Sequence, residues 1–171
     1  MTGESVAALL RHCGVREAIL VGHSLGGMVA MDVAARSHWV KGLLLLEGWT
    51  SLAAAGAFAG ERFYGQLDAA AIIQIKANAK STRERFAPAI WEAFWDSVKA
   101  FDAASYLRAA SIPIMEVYGA LGCYEATKSQ LLVPPNPCIS WHWVEGAGHY
   151  LPHERPGEVA KLCHTALAMR C

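Results

Sequence analysis

A serine flanked by glycines is the feature that most constrains what this chain can fold into. Gly22–Gly27 reads Gly-His-Ser-Leu-Gly-Gly; it follows the short apolar run Glu17–Val21 and precedes Met28–Arg36, which is rich in alanine and methionine. A serine between a buried strand and a helix predicts a sharp turn that lifts its hydroxyl off the sheet. We expect the glycines two residues on either side of Ser24 to remove side chains that would clash in that turn.

Further apolar runs alternate with helical patterns along the chain. Strands are predicted at Val40–Leu46, Ile112–Tyr118 and Cys138–Val144, and helices at Ser5–Cys13 and Glu154–Ala168. Runs that are apolar on both faces favour a parallel sheet covered on both sides. We therefore predict an α/β fold, a parallel sheet with flanking helices.

The segment between the second and third strands has a different character. Residues 49–110 are rich in alanine and aromatic residues, and helices are predicted at Leu67–Ala79, Thr82–Ala100 and Asp102–Ala110. We interpret this segment as an inserted helical lid and residues 1–48 and 111–171 as the core, because about 60 residues is long for a single crossover. Its aromatic side chains either line an apolar substrate pocket or pack the lid onto the core. They are Trp49, Phe58, Phe63, Tyr64, Trp91, Phe94 and Trp95.

A serine hydroxyl needs a base to become a nucleophile. His149 follows the last predicted strand, and the carboxyl ends of parallel strands share one edge of the sheet. The small residues Gly146–Gly148 would let this loop approach the turn at Ser24 closely. His153 is the second candidate for the base. The Leu25 N–H and the helix that follows are predicted to face the developing oxyanion.

These motifs together resemble the α/β-hydrolase superfamily. Gly22–Gly27 resembles its nucleophile turn, Ile112–Gly119 its penultimate strand, and Gly146–His149 with Pro156–Val159 its histidine loop and final helix. The resemblance implies that Ser24 is the nucleophile and His149 the base of a serine esterase.

The acid of such a triad is less obvious. The family often places an aspartate just after the penultimate strand, but residues 119–123 contain no carboxylate. A second location known in the family, the end of the strand after the nucleophile helix, corresponds to Glu47. Glu47 is therefore the favoured acid and Glu125 the reserve, whereas Asp32 lies on the helix after Ser24 and is expected to point away.

The resemblance also implies that earlier strands precede the serine turn, whereas only 23 residues precede Ser24. A second oxyanion donor normally comes from one of those earlier loops. The strand around Ile19–Val21 would then form an exposed, apolar sheet edge. We expect either that the chain is a fragment, which we favour, or that a second copy covers this edge.

Composition narrows the remaining possibilities. The 171 residues suit one domain, and 15 basic against 15 acidic residues give no charge excess for nucleic acid or membrane binding. No pattern indicates a cofactor or metal site. The first ten residues lack a secretory signal pattern, and dispersed cysteines predict reduced thiols and a cytoplasmic location. The cysteines are Cys13, Cys123, Cys138, Cys163 and Cys171.

The function predicted from these observations is hydrolysis of a small-to-medium uncharged carboxylic ester through an acyl-enzyme on Ser24. The alternatives are a catalytically weak or silent remnant that acts as a binding module, and an acyltransferase or cofactor-free peroxidase on the same fold.

Overall fold

The computed structural model of the chain describes residues 3–58, 60–121 and 124–171. Cys123 and the side chain of Phe58, both named above, lie outside the described residues. Short 3₁₀ helices cover Leu52–Phe58, Gly60–Phe63 and Glu125–Leu131. The other elements are α1 (Gly3–His12), β1 (Ala18–His23), α2 (Leu25–Ala35), β2 (Val40–Leu46), α3 (Ala69–Glu84), α4 (Pro88–Lys99), α5 (Ala104–Ala109), β3 (Ile114–Gly119), β4 (Ile139–Val144), α6 (Leu151–Glu154) and α7 (Pro156–Ala166).

The described strands form one sheet in the order β1-β2-β3-β4, and all three pairings are parallel. The predicted parallel sheet with flanking helices is therefore confirmed. In the described chain β1 is an edge strand, as expected, and the side chain of Val21 is half exposed. Because all three pairings are parallel, the carboxyl ends of the strands lie along one edge.

Strand β2 shows why the sheet is covered on both sides. Leu43 and Leu45 pack into a core with α1, α2 and α5, whereas Leu44 and Leu46 pack into a second core that includes α7. All four leucines are fully buried because successive side chains point to opposite faces of the sheet.

The two ends of the segment between β2 and β3 lie next to each other at the sheet. Ser51 and Asp102 form an antiparallel bridge, and the Ala103 N–H donates to the Thr50 carbonyl at 2.9 Å. Within this segment the predicted helix boundary at residues 80–81 is wrong, because α3 continues to Glu84. The break comes at residues 85–87, where Pro88 forces the preceding residue into an extended conformation and starts α4.

One disulfide corrects the prediction that the cysteines are reduced. Cys138, just before β4, is bonded to Cys171, whereas Cys13 and Cys163 are free thiols. The two partners are 33 residues apart, so no short motif indicates the pairing. Among the described helices, none is long and apolar enough to cross a membrane.

The disulfide predicts a difference in thiol count. Titration of the denatured protein with a thiol reagent should give two more thiols after reduction than before. Cys171→Ser should abolish this difference because it leaves Cys138 without a partner. Equal counts for the unmodified chain before and after reduction would show that the bond does not form.

Candidate active site

The turn after β1 holds Ser24 in an unusual backbone conformation. Its φ is 53° and its ψ is −121°, in a region that residues other than glycine rarely occupy. The Ser24 N–H donates to the Leu46 carbonyl at 2.9 Å, and the Ser24 carbonyl accepts from the Gly27 N–H at 2.8 Å. These bonds fix the serine between the end of the sheet and the start of α2.

The surrounding glycines partly match the prediction. A β-carbon at Gly22 would overlap the backbone of Gly26 and Gly27, so a side chain is excluded there as expected. A β-carbon at Gly26, however, would meet no atom within 4 Å apart from its chain neighbours and the backbone of α2, and the expectation of a clash at this position is wrong. The second tight position is Gly27, where a β-carbon would come within 2.8 Å of Gly48. The close approach of α2 to the end of β2 is what requires this glycine.

The structure brings the three predicted side chains together. His149 Nε2 lies 2.9 Å from Ser24 Oγ, and His149 Nδ1 lies 3.2 Å from Glu47 Oε2. His149 and Glu47 are 2% and 1% exposed, which excludes water from the contact between them. A hydroxyl, an imidazole and a carboxylate in this order can pass a proton from the hydroxyl to the ring while the carboxylate orients it.

Glu47 owes its position to the ends of β2 and β3. Like Ser24 it has a φ of 53°, and its N–H donates to the Val117 carbonyl at 2.8 Å. Its Oε1 accepts the Gly119 N–H, which leaves Oε2 for the histidine. A β-carbon at Gly119 would overlap the carbonyls of residues 147 and 148, so this glycine also lets the histidine loop approach the sheet.

His23, next to the serine, supports His149 from the other side. Its Nε2 lies 2.7 Å from the His149 carbonyl oxygen. A carbonyl can only accept, so the proton of His23 is on Nε2. Burial lowers the pKa of His23 to about 4, which keeps its ring neutral at pH 7.

Aromatic rings enclose the imidazole of His149. Phe63 stacks on it with ring centroids 4.7 Å apart, and Trp49 stacks at 5.8 Å. Burial lowers the pKa of His149 to about 4, partly opposed by the negative charge of Glu154. Burial also raises the pKa of Glu47, and the Gly119 N–H opposes that shift. His149 is therefore a neutral ring at pH 7, the form that can accept a proton.

The alternative residues lie elsewhere. Glu125 pairs at the surface with Lys128 on the same 3₁₀ helix. Asp32 pairs with Arg36 on α2 at 2.9 Å, as expected for a residue that points away. His153 is exposed and packs edge-on against Tyr150, with centroids 6.0 Å apart.

Helix α2 begins at Leu25, directly after the serine. The N–H groups of a first helical turn lack partners within the helix, so this end can donate to a nearby anion. Among the described residues, no group of three or more histidine, cysteine or acidic side chains is placed to hold a metal ion.

An apolar cavity of about 340 Å³ opens beside Leu25, between the start of α2 and the helices α3 and α4. Trp91 and Phe94 line it, whereas Trp95 packs edge-on against both of them. Trp49 and Phe63 instead contact His149. The aromatic residues of this segment therefore divide between those that line the cavity, those that contact His149 and those that pack on one another. The cavity is lined by Leu25, Thr82, Phe86, Ile90, Trp91 and Phe94.

A buried glutamate that the sequence analysis did not single out supports the end of β2. Tyr118 Oη lies 2.9 Å from the Gly48 carbonyl and 2.8 Å from Glu116 Oε2. Tyr118 has one hydroxyl proton, so both contacts are hydrogen bonds when Tyr118 donates to the Gly48 carbonyl and a neutral Glu116 donates its carboxyl proton to Tyr118 Oη. Burial raises the pKa of Glu116 to about 8, in agreement with this neutral form. The sequence signal that could have identified Glu116 is the presence of an acidic residue within the otherwise apolar run of β3.

Replacing Glu116 by glutamine should make the protein relatively more stable as pH rises. Between about pH 4.5 and pH 8 the unfolded glutamate is ionised while the folded one keeps its proton, so the wild type loses stability with rising pH. The loss is on the order of 1.4 kcal/mol per pH unit at most. Glutamine has no such titration, and it can still donate to Tyr118.

Urea unfolding of the wild type and of Glu116→Gln at pH 5, 6, 7 and 8 measures this effect. His23 and His149 contribute to the pH dependence of stability with the opposite sign to Glu116. Their contributions are the same in both proteins, so they cancel when the free energy of unfolding of one protein is subtracted from that of the other. Glu92→Gln, at an exposed position on α4, is the matched control. A stability difference that does not change with pH would contradict a neutral Glu116.

Comparison with solved structures places this architecture among known hydrolases. An N-acyl homoserine lactone degrading enzyme, Est816, is 23% identical with a TM-score of 0.67, covering 95% of this chain and 72% of that one. An esterase from Rhodococcus sp. ECU1013 is 20% identical with a TM-score of 0.61, covering 98% and 71%. A thermophilic esterase is 16% identical with a TM-score of 0.69, covering 97% and 71%. At these identities the similarity shows the fold.

No curated protein matches the chain by sequence. The sequence nevertheless matches a family: residues 2–162 match the alpha/beta hydrolase family, and this match covers both the core and the segment between β2 and β3. The chain therefore belongs to the alpha/beta hydrolase family, as the motifs around Ser24 and His149 predicted.

Proposed function

We propose that this hydrolase cleaves small-to-medium uncharged carboxylic esters through an acyl-enzyme on Ser24. The observation that carries the proposal is the continuous contact from Ser24 Oγ to His149 Nε2 at 2.9 Å and from His149 Nδ1 to Glu47 Oε2 at 3.2 Å. Such a chain activates a hydroxyl that is otherwise a poor nucleophile.

In the proposed reaction Ser24 Oγ attacks the acyl carbon and its proton passes to His149 Nε2. Glu47 holds the other ring proton on Nδ1 and stabilises the imidazolium that forms. The Leu25 N–H donates to the oxyanion. His149 then returns the proton to the departing alkoxide, and the alcohol leaves. A water molecule attacks the acyl-enzyme by the same route, which releases the carboxylic acid and restores Ser24.

The cavity beside Leu25 supports an apolar group on the substrate. Its lining consists of five apolar side chains and one threonine, with no charged residue to select a phosphate or carboxylate. In this proposal residues 49–110 act as a lid over the site. The similar solved structures include a lactone degrading enzyme and esterases, and a lactone is itself a cyclic carboxylic ester.

The exposed edge of β1 and the location of the protein are the two remaining points of this proposal. We propose that the exposed edge of β1 is covered by a further segment of the same protein; reversible dimerisation in sedimentation velocity would instead indicate a second copy. The cytoplasmic location predicted from reduced thiols is disfavoured by the disulfide between Cys138 and Cys171, because disulfides are rare in that compartment.

A fluorophosphonate probe tests the proposed nucleophile. It should label the wild type and Ser81→Ala, a control at an exposed position on α3, but not Ser24→Ala. The wild type and the control should also hydrolyse p-nitrophenyl esters, with a preference for butanoate or hexanoate over acetate because of the apolar cavity.

Equal labelling of the wild type and Ser24→Ala would contradict the proposal. A folded, monodisperse protein with neither labelling nor turnover would instead favour the silent binding module. Transfer of the acyl group to an added alcohol in preference to water would favour an acyltransferase.

A further inference from the structure

A second carboxylate, Glu154, lies beside the histidine loop at the end of α6 and is not one of the predicted site residues. Its Oε2 accepts the N–H groups of Gln66 and Gly148, each at 2.9 Å. Its Oε1 accepts the Tyr150 N–H at 3.1 Å. Two of these donors flank His149 in the sequence, and the third lies 88 residues before Glu154, in the segment between β2 and β3.

The same two stretches of chain also pack directly on each other. A β-carbon at Gly148 would overlap the Arg62 carbonyl, and one at Gly65 would overlap the carboxylate of Glu154. The backbones therefore meet directly at Gly148, whose β-carbon would also come within 2.6 Å of the Gly65 Cα, whereas the Glu154 carboxylate packs directly on Gly65. Residues 62–66 and 148–154 consequently behave as one packed unit around His149.

Stacked rings continue this contact. Phe63 lies on the imidazole of His149 with an interplanar angle of 17°, and Tyr64 lies parallel to Tyr150 with centroids 5.9 Å apart. If residues 62–66 moved away, His149 would lose its ring contact with Phe63, and Glu154 would lose the Gln66 N–H. The position of this segment and the orientation of the imidazole are thus coupled through specific contacts.

The charge of Glu154 also acts on the imidazole. Among the described residues, the titratable groups that face His149 include Glu47 at Nδ1, His23 at a ring distance of 5.0 Å, Tyr150 at 5.5 Å, and Glu154. Of these, Glu154 supplies a negative charge that favours the imidazolium and opposes the effect of burial on the pKa of His149. The imidazolium is the form that the proposed reaction generates when Ser24 gives up its proton.

We propose that Glu154 is a positioning residue that fixes the backbone on both sides of His149 and ties it to residues 62–66. The productive orientation of His149 and the packed position of residues 62–66 then form together. This inference rests on the proposed function of Ser24 and His149, and it adds a residue that touches neither the substrate nor the reacting atoms.

Glu154→Gln separates this role from a general structural one. Glutamine has the same shape but a single acceptor oxygen, so at least one of the three N–H groups loses its partner. We expect kcat for a p-nitrophenyl ester to fall by about 10- to 100-fold with a small change in KM, because small displacements of a reacting group carry penalties of this size. The acid limb of the pH profile should move to lower pH, since the charge that favours the imidazolium is gone.

Two further variants serve as comparisons. Glu154→Asp keeps the charge but shortens the side chain, so its acid limb should stay near that of the wild type while kcat is reduced. Glu158→Gln is the matched control, because Glu158 is on α7 and pairs only with the surface residue His142 among its described contacts, at 3.2 Å. It should leave kcat and the pH profile unchanged.

Amide hydrogen exchange provides a readout that does not depend on activity. The amides of Gln66, Gly148 and Tyr150 should exchange faster in Glu154→Gln than in the wild type, and Glu158→Gln should not change them. If Glu154→Gln does not fold, the same measurement on Glu154→Asp decides. Unchanged exchange at all three amides, or an unchanged kcat and acid limb, would overturn the inference. A wild type without turnover or probe labelling would contradict the proposed function instead, and the exchange data would still decide on the role of Glu154.

Discussion

The parallel register of four strands is the constraint on which the rest of the site depends. It places Ser24 just after β1, Glu47 just after β2 and Gly119 at the end of β3, with the loop after β4 returning over them. Each backbone is still bonded to the neighbouring strand, Ser24 to Leu46 and Glu47 to Val117. The positive φ angles of Ser24 and Glu47 are tolerated because these hydrogen bonds and the packing of α2 fix the backbone before and after each of the two residues.

Burial then sets the electrostatic character of the site. It disfavours charge on His149, His23 and Glu116 and so leaves the resting site with neutral rings and a neutral glutamate on β3. The negative charge that acts on the resting imidazole is that of Glu154, whose carboxylate accepts three backbone N–H groups. Burial raises the pKa of Glu47 as well, and the Gly119 N–H that Glu47 accepts opposes that shift and holds this carboxyl group in place. Fixed acceptors of this kind stabilise an imidazolium without having to reorganise when it forms.

Local patterns were enough to predict much of the fold and the candidate site. The turn at Ser24 could be predicted because the strand, the glycines and the helix are contiguous in sequence. Glu47 could be predicted because the end of a buried strand next to the serine strand fixes where its carboxylate emerges. The junction of α3 and α4 was predicted too early in the chain because Pro88 places the break at the residues just before it.

Two contacts between distant loops could not be predicted from the sequence. The disulfide joins residues 33 positions apart, and the bond from Glu154 to Gln66 spans 88 residues. No periodicity marks either pair, since each depends on how the loops pack once the sheet has formed. The need for glycine at position 27, and not at 26, likewise follows from the distance between α2 and the end of β2.

The most direct test of the account is the kcat of Glu47→Gln compared with that of Glu125→Gln. A glutamine at position 47 would accept the Gly119 N–H through its oxygen and turn its NH₂ group toward His149 Nδ1. The ring proton would then move to Nε2, where it prevents the ring from taking the proton of Ser24. If Glu47 is the acid that orients His149, kcat should fall by about 10³- to 10⁴-fold in Glu47→Gln and should not change in Glu125→Gln. A large loss for Glu125→Gln with near-normal turnover for Glu47→Gln would contradict it.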